Sequence, residues 1–269
     1  MIKEYIIIRG EKTMDHITSV NNQQVKDWKK LKLKKERVKQ SSYLVEGFHL
    51  VEEALKHKKN DILQVMVRED LLENKEFLNL EIDTNKVIVI NLNIAEEISE
   101  TQTNQGVFAE LAIETFAFPE VIEGPILLLD AVQDPGNVGT MIRTADAAGF
   151  QGVFLGKGTV DLYNSKTLRS AQGSHFHLEV YEGDLKEFIS HFKEEGYPVF
   201  GTALNEEATS YKDVYVDTPF ALVVGNEGAG INNELIDEMD QNIFIPMHGH
   251  AESLNVAIAA SILMFHLVN

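Results

Sequence analysis

The sequence predicts an α/β protein built around a parallel sheet, and three observations lead there. Apolar runs at residues 126–129 (ILLL), 152–156 (GVFLG) and 220–225 (FALVVG) are continuous, as strands covered on both faces require. Segments of helical periodicity separate these runs, which is the alternation of a doubly covered parallel sheet. The 269 residues are 44% apolar and 25% charged, an ordinary globular balance, and one or two domains follow at roughly 100–200 residues each.

Taken in order, residues 1–25 read as an N-terminal extension. Met14 resembles a natural start, with residues 1–13 as an upstream start. Residues 26–118 read as a small α/β domain. SYLVEG is a short strand, FHLVEEALKHK an amphipathic helix, DILQVMVRE and KVIVINL two further strands, NIAEEISE an acidic helix and GVFAELAI a closing strand. ETFAFPEVIEGP, with two prolines and no clear period, marks the boundary, and residues 119–269 form the second domain. There ILLLD enters the turn AVQDPGN and a helix from Val138 to Ala148. GVFLG, a polar helix near residues 164–171, the helix LKEFISHFKEEG and the strand PVFGTAL follow. FALVVG then enters the glycine-rich NEGAG, INNELIDEMD is helical, NIFIP is a strand, and SLNVAIAASILMFHL is a last helix. A helix apolar all round is buried on more than one side, here against its own sheet and a second subunit.

Composition excludes several classes. Without cysteine there is no disulfide framework, thiolate nucleophile or Cys-ligated metal. The most apolar stretch, residues 254–268, is broken by Asn255, Ser261 and His266, short of the roughly 18 apolar residues of a membrane span. No membrane contact is expected. The N-terminus lacks the apolar core and cleavage site of a signal peptide, so residence in the cytoplasm is expected. A net charge of −18 argues against nonspecific coating of nucleic acid. One segment departs from it: residues 26–39 hold eight basic residues against two acidic ones. Lys29, Lys30, Lys32, Lys34, Lys35 and Arg37 are its candidate phosphate contacts, a solvated helix face being the alternative. From residue 125 onward, 7 basic residues face 20 acidic ones, and Arg143, Lys157, Lys166 and Arg169 lie close together. Arg169 joins the candidates.

Three loops at strand ends carry the chemistry: residues 134–145 (DPGNVGTMIRTA), 224–230 (VGNEGAG) and 245–257 (IPMHGHAESLNVA). Ligands of open parallel sheets lie beyond the carboxyl ends of the strands, so the three loops would line one site. GNEGAG reverses the spacing of the dinucleotide fingerprint and follows a late strand, and no phosphate loop of the ATPase type is present. His175-Phe176-His177 and His248-Gly249-His250 could each present two imidazoles, yet no third ligand stands at an obvious spacing, and no metal is expected.

In order and detail, Asn137-Val138-Gly139-Thr140-Met141-Ile142-Arg143, Val224-Gly225-Asn226-Glu227-Gly228, and Ile245-Pro246-Met247 with Glu252-Ser253-Leu254-Asn255-Val256 resemble the SpoU, or TrmH-like, family of RNA ribose 2′-O-methyltransferases in the SPOUT superfamily. The first domain is similar in size and element order to the L30e-like substrate-binding domain that precedes such catalytic domains. The resemblance implies a trefoil knot threaded by the last helix, a homodimer with its active site at the subunit interface, and RNA as partner, rRNA before tRNA. It also implies S-adenosylmethionine as cofactor, held by backbone groups of Leu204, Gly225, Ile245 and Leu254, with Gly228 and Met247 beside them. Arg143, Asn137, Glu227, Ser253 and Asn255 become the catalytic candidates. A guanidinium with a pKa above about 12 stays charged, so Arg143 is expected to bind the adjacent phosphate and stabilise the developing alkoxide rather than act as base. Asn137 would orient Arg143 or the ribose, and Glu227 would pair with Arg143 or hold a ligand hydroxyl. Ser253 is either a site residue or an N-cap. The competing readings are an RNA-binding, ribosome-assembly protein that has lost the chemistry, and a nucleotide-dependent metabolic enzyme.

Overall fold

A computed structural model describes residues 6–7, 13–115, 118–119, 121–203 and 207–268. The chain divides between Glu114 and Thr115 into two compact units, the short segment Tyr163–Ser165 belonging to the first.

The first unit contains β1 (Ile6–Ile7), β2 (Thr13–Ile17), α1 (Gln23–Lys30), α2 (Lys34–Gln40), β3 (Ser42–Glu46), α3 (Phe48–His57), β4 (Ile62–Arg68), α4 (Lys75–Asn79), β5 (Val87–Ile90), α5 (Leu92–Ile98) and β6 (Val107–Ala112). The strands form one mixed sheet in the order β1-β2-β5-β4-β6-β3. The expectation that residues 1–25 are an extension is corrected for residues 13–25, because β2 pairs in parallel with β5 and Val25 of α1 is fully buried. Three polar residues among the five of TMDHI, Thr13, Asp15 and His16, hide that strand from periodicity.

The basic segment is corrected as well. Trp28 is buried, and its indole N–H donates to Glu110 Oε2 at 3.1 Å. Arg37, expected at a phosphate, is buried and donates from Nη1 to the Leu31 carbonyl at 2.7 Å. Lys29 pairs with Glu97, Lys30 with Asp27 at 2.7 Å, and Lys32 donates to the carbonyls of Glu97 and Ser99 at 3.0 and 2.7 Å. Half of this positive charge is therefore engaged within the unit: Lys29 and Lys32 reach residues 97–99, Arg37 ties α2 to the end of α1, and Lys30 pairs along its own helix.

Glu110 sits at the centre of that arrangement, accepting from Trp28, from the Ser42 hydroxyl at 2.7 Å and from the Gln64 amide at 3.0 Å. Glu110→Ala removes the acceptor of all three donors, and each buried group left without a partner costs about 1–3 kcal/mol. We expect the urea midpoint of this unit to fall clearly, followed by fluorescence of Trp28, the single tryptophan. An unchanged midpoint would show that water replaces the carboxylate without loss.

The second unit holds β7 (Ile126–Leu129), α6 (Pro135–Ala147), β8 (Gly152–Gly156), α7 (Ser165–Ala171), β9 (Glu179–Gly183), α8 (Leu185–Glu194), β10 (Val199–Gly201), β11 (Thr209–Ser210), β12 (Ala221–Val224), α9 (Asn233–Ile236), β13 (Gln241–Phe244) and α10 (Val256–Leu267). Its seven strands run parallel in the order β11-β13-β10-β12-β7-β8-β9. The central β7 and β12 are buried throughout, which accounts for their unbroken apolar runs. Leu185, Phe188, Ile189 and Phe192 give α8 one apolar face, which packs into the core with Phe154 and Tyr181.

Three boundaries differ from expectation, each through a cap. α6 starts at Pro135 because Asp134 accepts the Asn137 N–H, with proline at the first position where no donor is needed. α9 has only four residues: Asn232 caps it, and the acidic run Asp237, Glu238 and Asp240 opposes the helix dipole beyond its end. α10 begins at Val256, capped by Asn255 rather than Ser253, so Ser253 and Leu254 remain in the preceding loop. Among the described residues, no helix is long and apolar enough to cross a membrane.

Candidate active site

The segments that follow β10, β12 and β13 line a cavity of about 530 Å³. Val224, Ile243, Ile245, Pro246, Leu254 and Leu263 supply an apolar lining, and Thr202, Asn226 and Glu227 supply polar groups. The volume lies within the roughly 300–1,000 Å³ of small-molecule sites, with few polar groups on an apolar wall, as such sites require.

Of the expected cofactor residues, Gly225, Ile245, Met247 and Leu254 line this cavity. Gly228 does not; a Cβ there would meet only Asn226 Oδ1, at 3.7 Å. Leu204 lies outside the described residues. Glycine at position 225 has a reason within the chain itself. A Cβ at this position would stand 2.2 Å from Gly230 C and Ile231 N, so the chain's own backbone requires glycine.

The three strand-end loops are joined by one hydrogen-bonded chain. Glu227 accepts the Gln133 and Asp134 N–H groups at 3.2 and 3.1 Å and the Asn137 amide at 3.0 Å. Asn137 Oδ1 in turn accepts from Asn255 Nδ2 at 3.0 Å, while Asn255 Oδ1 caps α10. Asp130, at the end of β7, accepts the Asn232 N–H at 2.7 Å and adds a second tie. Asn137, Glu227 and Asn255 thus come together. Ser253 lines the cavity on the exposed loop before the cap.

Arg143 does not join them. Six residues beyond Asn137 on α6, it is turned about 240° around the axis at 3.6 residues per turn. It is exposed, and among the described residues its guanidinium has no hydrogen-bond or ion-pair partner. Within one chain, therefore, Asn137 does not orient Arg143 and Glu227 does not pair with it; both are bound to each other instead. Arg169, on α7, is half-buried. His175 is buried against Phe176, while His177 Nδ1 lies 2.8 Å from Asp146, so these imidazoles face different surroundings.

Two residues here, Asp134 and Asn226, were not among the candidates read from the sequence. Asp134 caps α6 and holds Lys166 at 2.9 Å, a role the Asp-Pro pair signals. The Lys166 ammonium, with the Asn137 N–H behind it, keeps the Asp134 carboxyl below its ordinary pKa. Asn226 precedes Glu227 and closes the glycine-rich turn, which Asn before an acidic-glycine pair could have suggested.

Burial pushes the Glu227 carboxyl upward, but the donors Asn137, Asp134 and Gln133 outweigh it and leave the pKa below its ordinary value. A carboxyl lowered by folding adds stability that is present above its unfolded pKa and lost as pH falls through the folded one. Asn137→Ala removes one donor, so its melting-temperature deficit should shrink as pH falls from about 7 to about 3. A deficit constant across that range would mean that Asn137 acts on stability through something other than the ionised carboxylate.

Residues 124–265 match the SpoU rRNA Methylase family, over half of the chain. The chain belongs to that family. Residues 22–109 match the MRM3-like substrate binding domain, so this SpoU methylase carries an α/β catalytic domain with a parallel sheet behind a substrate-binding domain. It is 46% identical over 257 residues to the 23S rRNA (guanosine(2553)-2′-O)-methyltransferase RlmP of Bacillus subtilis, covering 94% of this chain and 99% of that one. Among solved structures, an AdoMet-bound rRNA methyltransferase from Sinorhizobium meliloti is similar with TM-score 0.82 at 31% identity, covering 94% of this chain and 97% of its own. The SpoU methyltransferase AviRb from Streptomyces viridochromogenes, in complex with AdoMet, has TM-score 0.82 at 25% identity, covering 92% and 97%.

Proposed function

We propose that this SpoU methylase transfers a methyl group from S-adenosylmethionine to a ribose 2′-hydroxyl of ribosomal RNA, with a guanosine of 23S rRNA as the target. The observation that carries this is the chain Asn255–Asn137–Glu227, which ties three loops together at the rim of an apolar cavity. The 46% identity to RlmP supports ribosomal RNA and guanosine.

The cavity fits the cofactor: its apolar wall suits an adenine ring and a methylene chain, and the Glu227 carboxylate lies opposite in sign to a sulfonium. When bound, S-adenosylmethionine supplies an electrophilic methyl group. Gly225, Ile245 and Leu254 hold it, and the chain's remaining contribution is positioning and electrostatics. Asn137 and Ser253 orient the ribose. Arg143 binds the adjacent phosphate and stabilises negative charge on the 2′-oxygen while its proton leaves through phosphate or water.

Because Arg143 and Asn137 occupy different faces of α6, the same reading includes a cytoplasmic homodimer in which a second copy brings its Arg143 to this cavity, and a knot threaded by α10. Ile258 and Phe265, 52% and 46% exposed and two turns apart on α10, supply an apolar stripe for that contact. The exposed lysines 26, 34, 35 and 39 take RNA phosphates in place of the buried Arg37. Reversing charge at Lys35 and Lys39 should weaken RNA binding and flatten the slope of log K against log salt by roughly 0.7–0.9 for each phosphate no longer neutralised. An unaltered slope would return these lysines to the solvated face.

Incubation with methyl-labelled cofactor and RNA from cells lacking the gene tests the function. Label should enter 23S rRNA as a 2′-O-methylated nucleotide. Label confined to tRNA, or in a base, would overturn the assignment.

A further inference from the structure

Resting on the methyltransferase reading, we infer that Asn226 is a positioning residue for the reaction: it holds the Ala131 peptide in a left-handed conformation so that the entry to α6 presents Asn137 to Glu227. Ala131 stands two residues beyond the end of β7, after Asp130, and has φ of 53°, a region in which a Cβ crowds the backbone. The other non-glycine residues with positive φ among the described ones are Ser41 and Gln172. Each immediately follows a helix, α2 and α7, where a left-handed residue is common. Ala131 lies in the connection between β7 and α6 and follows no helix, so its conformation needs another cause.

Asn226 supplies it. Its Nδ2 donates to the Ala131 carbonyl at 2.8 Å, and its Oδ1 accepts the N–H groups of Gly228 and Ala229 at 2.9 and 3.0 Å. Its backbone exchanges both hydrogen bonds with Gly230, each at 2.9 Å, which closes the base of the turn. One amide therefore closes the glycine-rich turn and fastens the neighbouring loop to it. Two and three residues beyond Ala131, the Gln133 and Asp134 N–H groups meet Glu227, the residue after Asn226. If Ala131 relaxed to negative φ, its carbonyl would leave Asn226 and the following chain would change direction, drawing Asn137 away from Glu227. With both ends of its amide committed, Asn226 acts through these neighbours.

Asn226→Asp separates the two functions of the amide, since it keeps the acceptors for Gly228 and Ala229 but sets a carboxylate against the Ala131 carbonyl. In the full-length protein, kcat for RNA methylation should fall about 10–100-fold, the penalty of a misplaced site, with KM for RNA within about threefold. Adding Ala131→Gly, which adopts φ near 53° without a Cβ, should restore about tenfold, read as a cycle against Ala131→Gly in the otherwise unchanged protein. A substitution that merely loosened the fold would not be rescued there. Normal kcat in Asn226→Asp, or no recovery in the double variant, would overturn the inference. A crystal structure of Asn226→Asp decides it independently of activity: Ala131 at negative φ with Asn137 beyond hydrogen-bond reach of Glu227 upholds it, and unchanged geometry overturns it. A wild-type protein that methylates no RNA defeats the methyltransferase reading instead, leaving that structural result to stand by itself.

Discussion

Arg143→Ala is expected to lower the rate of RNA methylation at saturating cofactor by about 10²–10³-fold, the usual loss when one preorganised donor to a developing oxyanion is removed. Arg143 is exposed, does not line the cavity and has no partner among the described residues, so its removal leaves the Glu227–Asn137–Asn255 chain and the cofactor wall in place. Calorimetry should therefore find cofactor affinity unchanged while turnover collapses. Arg143→Lys should be nearly as slow, because an ammonium cannot present two parallel N–H donors to phosphate and alkoxide together. Near-normal turnover of the lysine variant would remove any role for the planar fork and leave Arg143 as a simple positive charge.

Gly225→Ala should disable the protein by a different route. The new Cβ would lie 2.2 Å from Gly230 C and Ile231 N and 2.4 Å from Gly230 O, all backbone atoms that no rotamer change can move. Nor can the turn swing aside freely, since Asn226 and Gly230 are bonded to each other in both directions. Overpacking costs about 1–3 kcal/mol where side chains yield, and more is expected against backbone. At about 2–4 °C per kcal/mol for a domain of this size, the melting temperature should drop by several degrees. Cofactor binding should disappear with it, because displacing Gly230 moves Asn226 and Glu227. Gly228→Ala, whose Cβ meets only Asn226 Oδ1 at 3.7 Å, is the matched control for stability. Equal melting temperatures for the two variants would show that the turn can open without loss.

Much of the second unit is legible in the sequence. ILLL, GVFLG and ALVV are strands buried on both faces, and α8 shows its apolar face at helical spacing. Such elements can be read because their own side chains repeat the period of the structure they form. β2 could not, since its five residues include three polar ones, and α9 was overestimated because a cap and an acidic end outweigh apolar spacing. Lys29, Lys32 and Arg37 looked like a phosphate-binding run; whether a cation faces solvent or a carbonyl depends on what folds beside it.

The sequence by itself determined the fold class, the order of the three loops and the residue types at their tips, all of which are local in the chain. Only the tertiary structure decided which of those residues meet. Asn137 binds Glu227 across 90 residues and Asn255 across 118, while Arg143, only six positions away, is carried to another face of the same helix. Hydrogen bonding depends on distance and direction in space, and spacing along a chain specifies neither once the chain has crossed between strands.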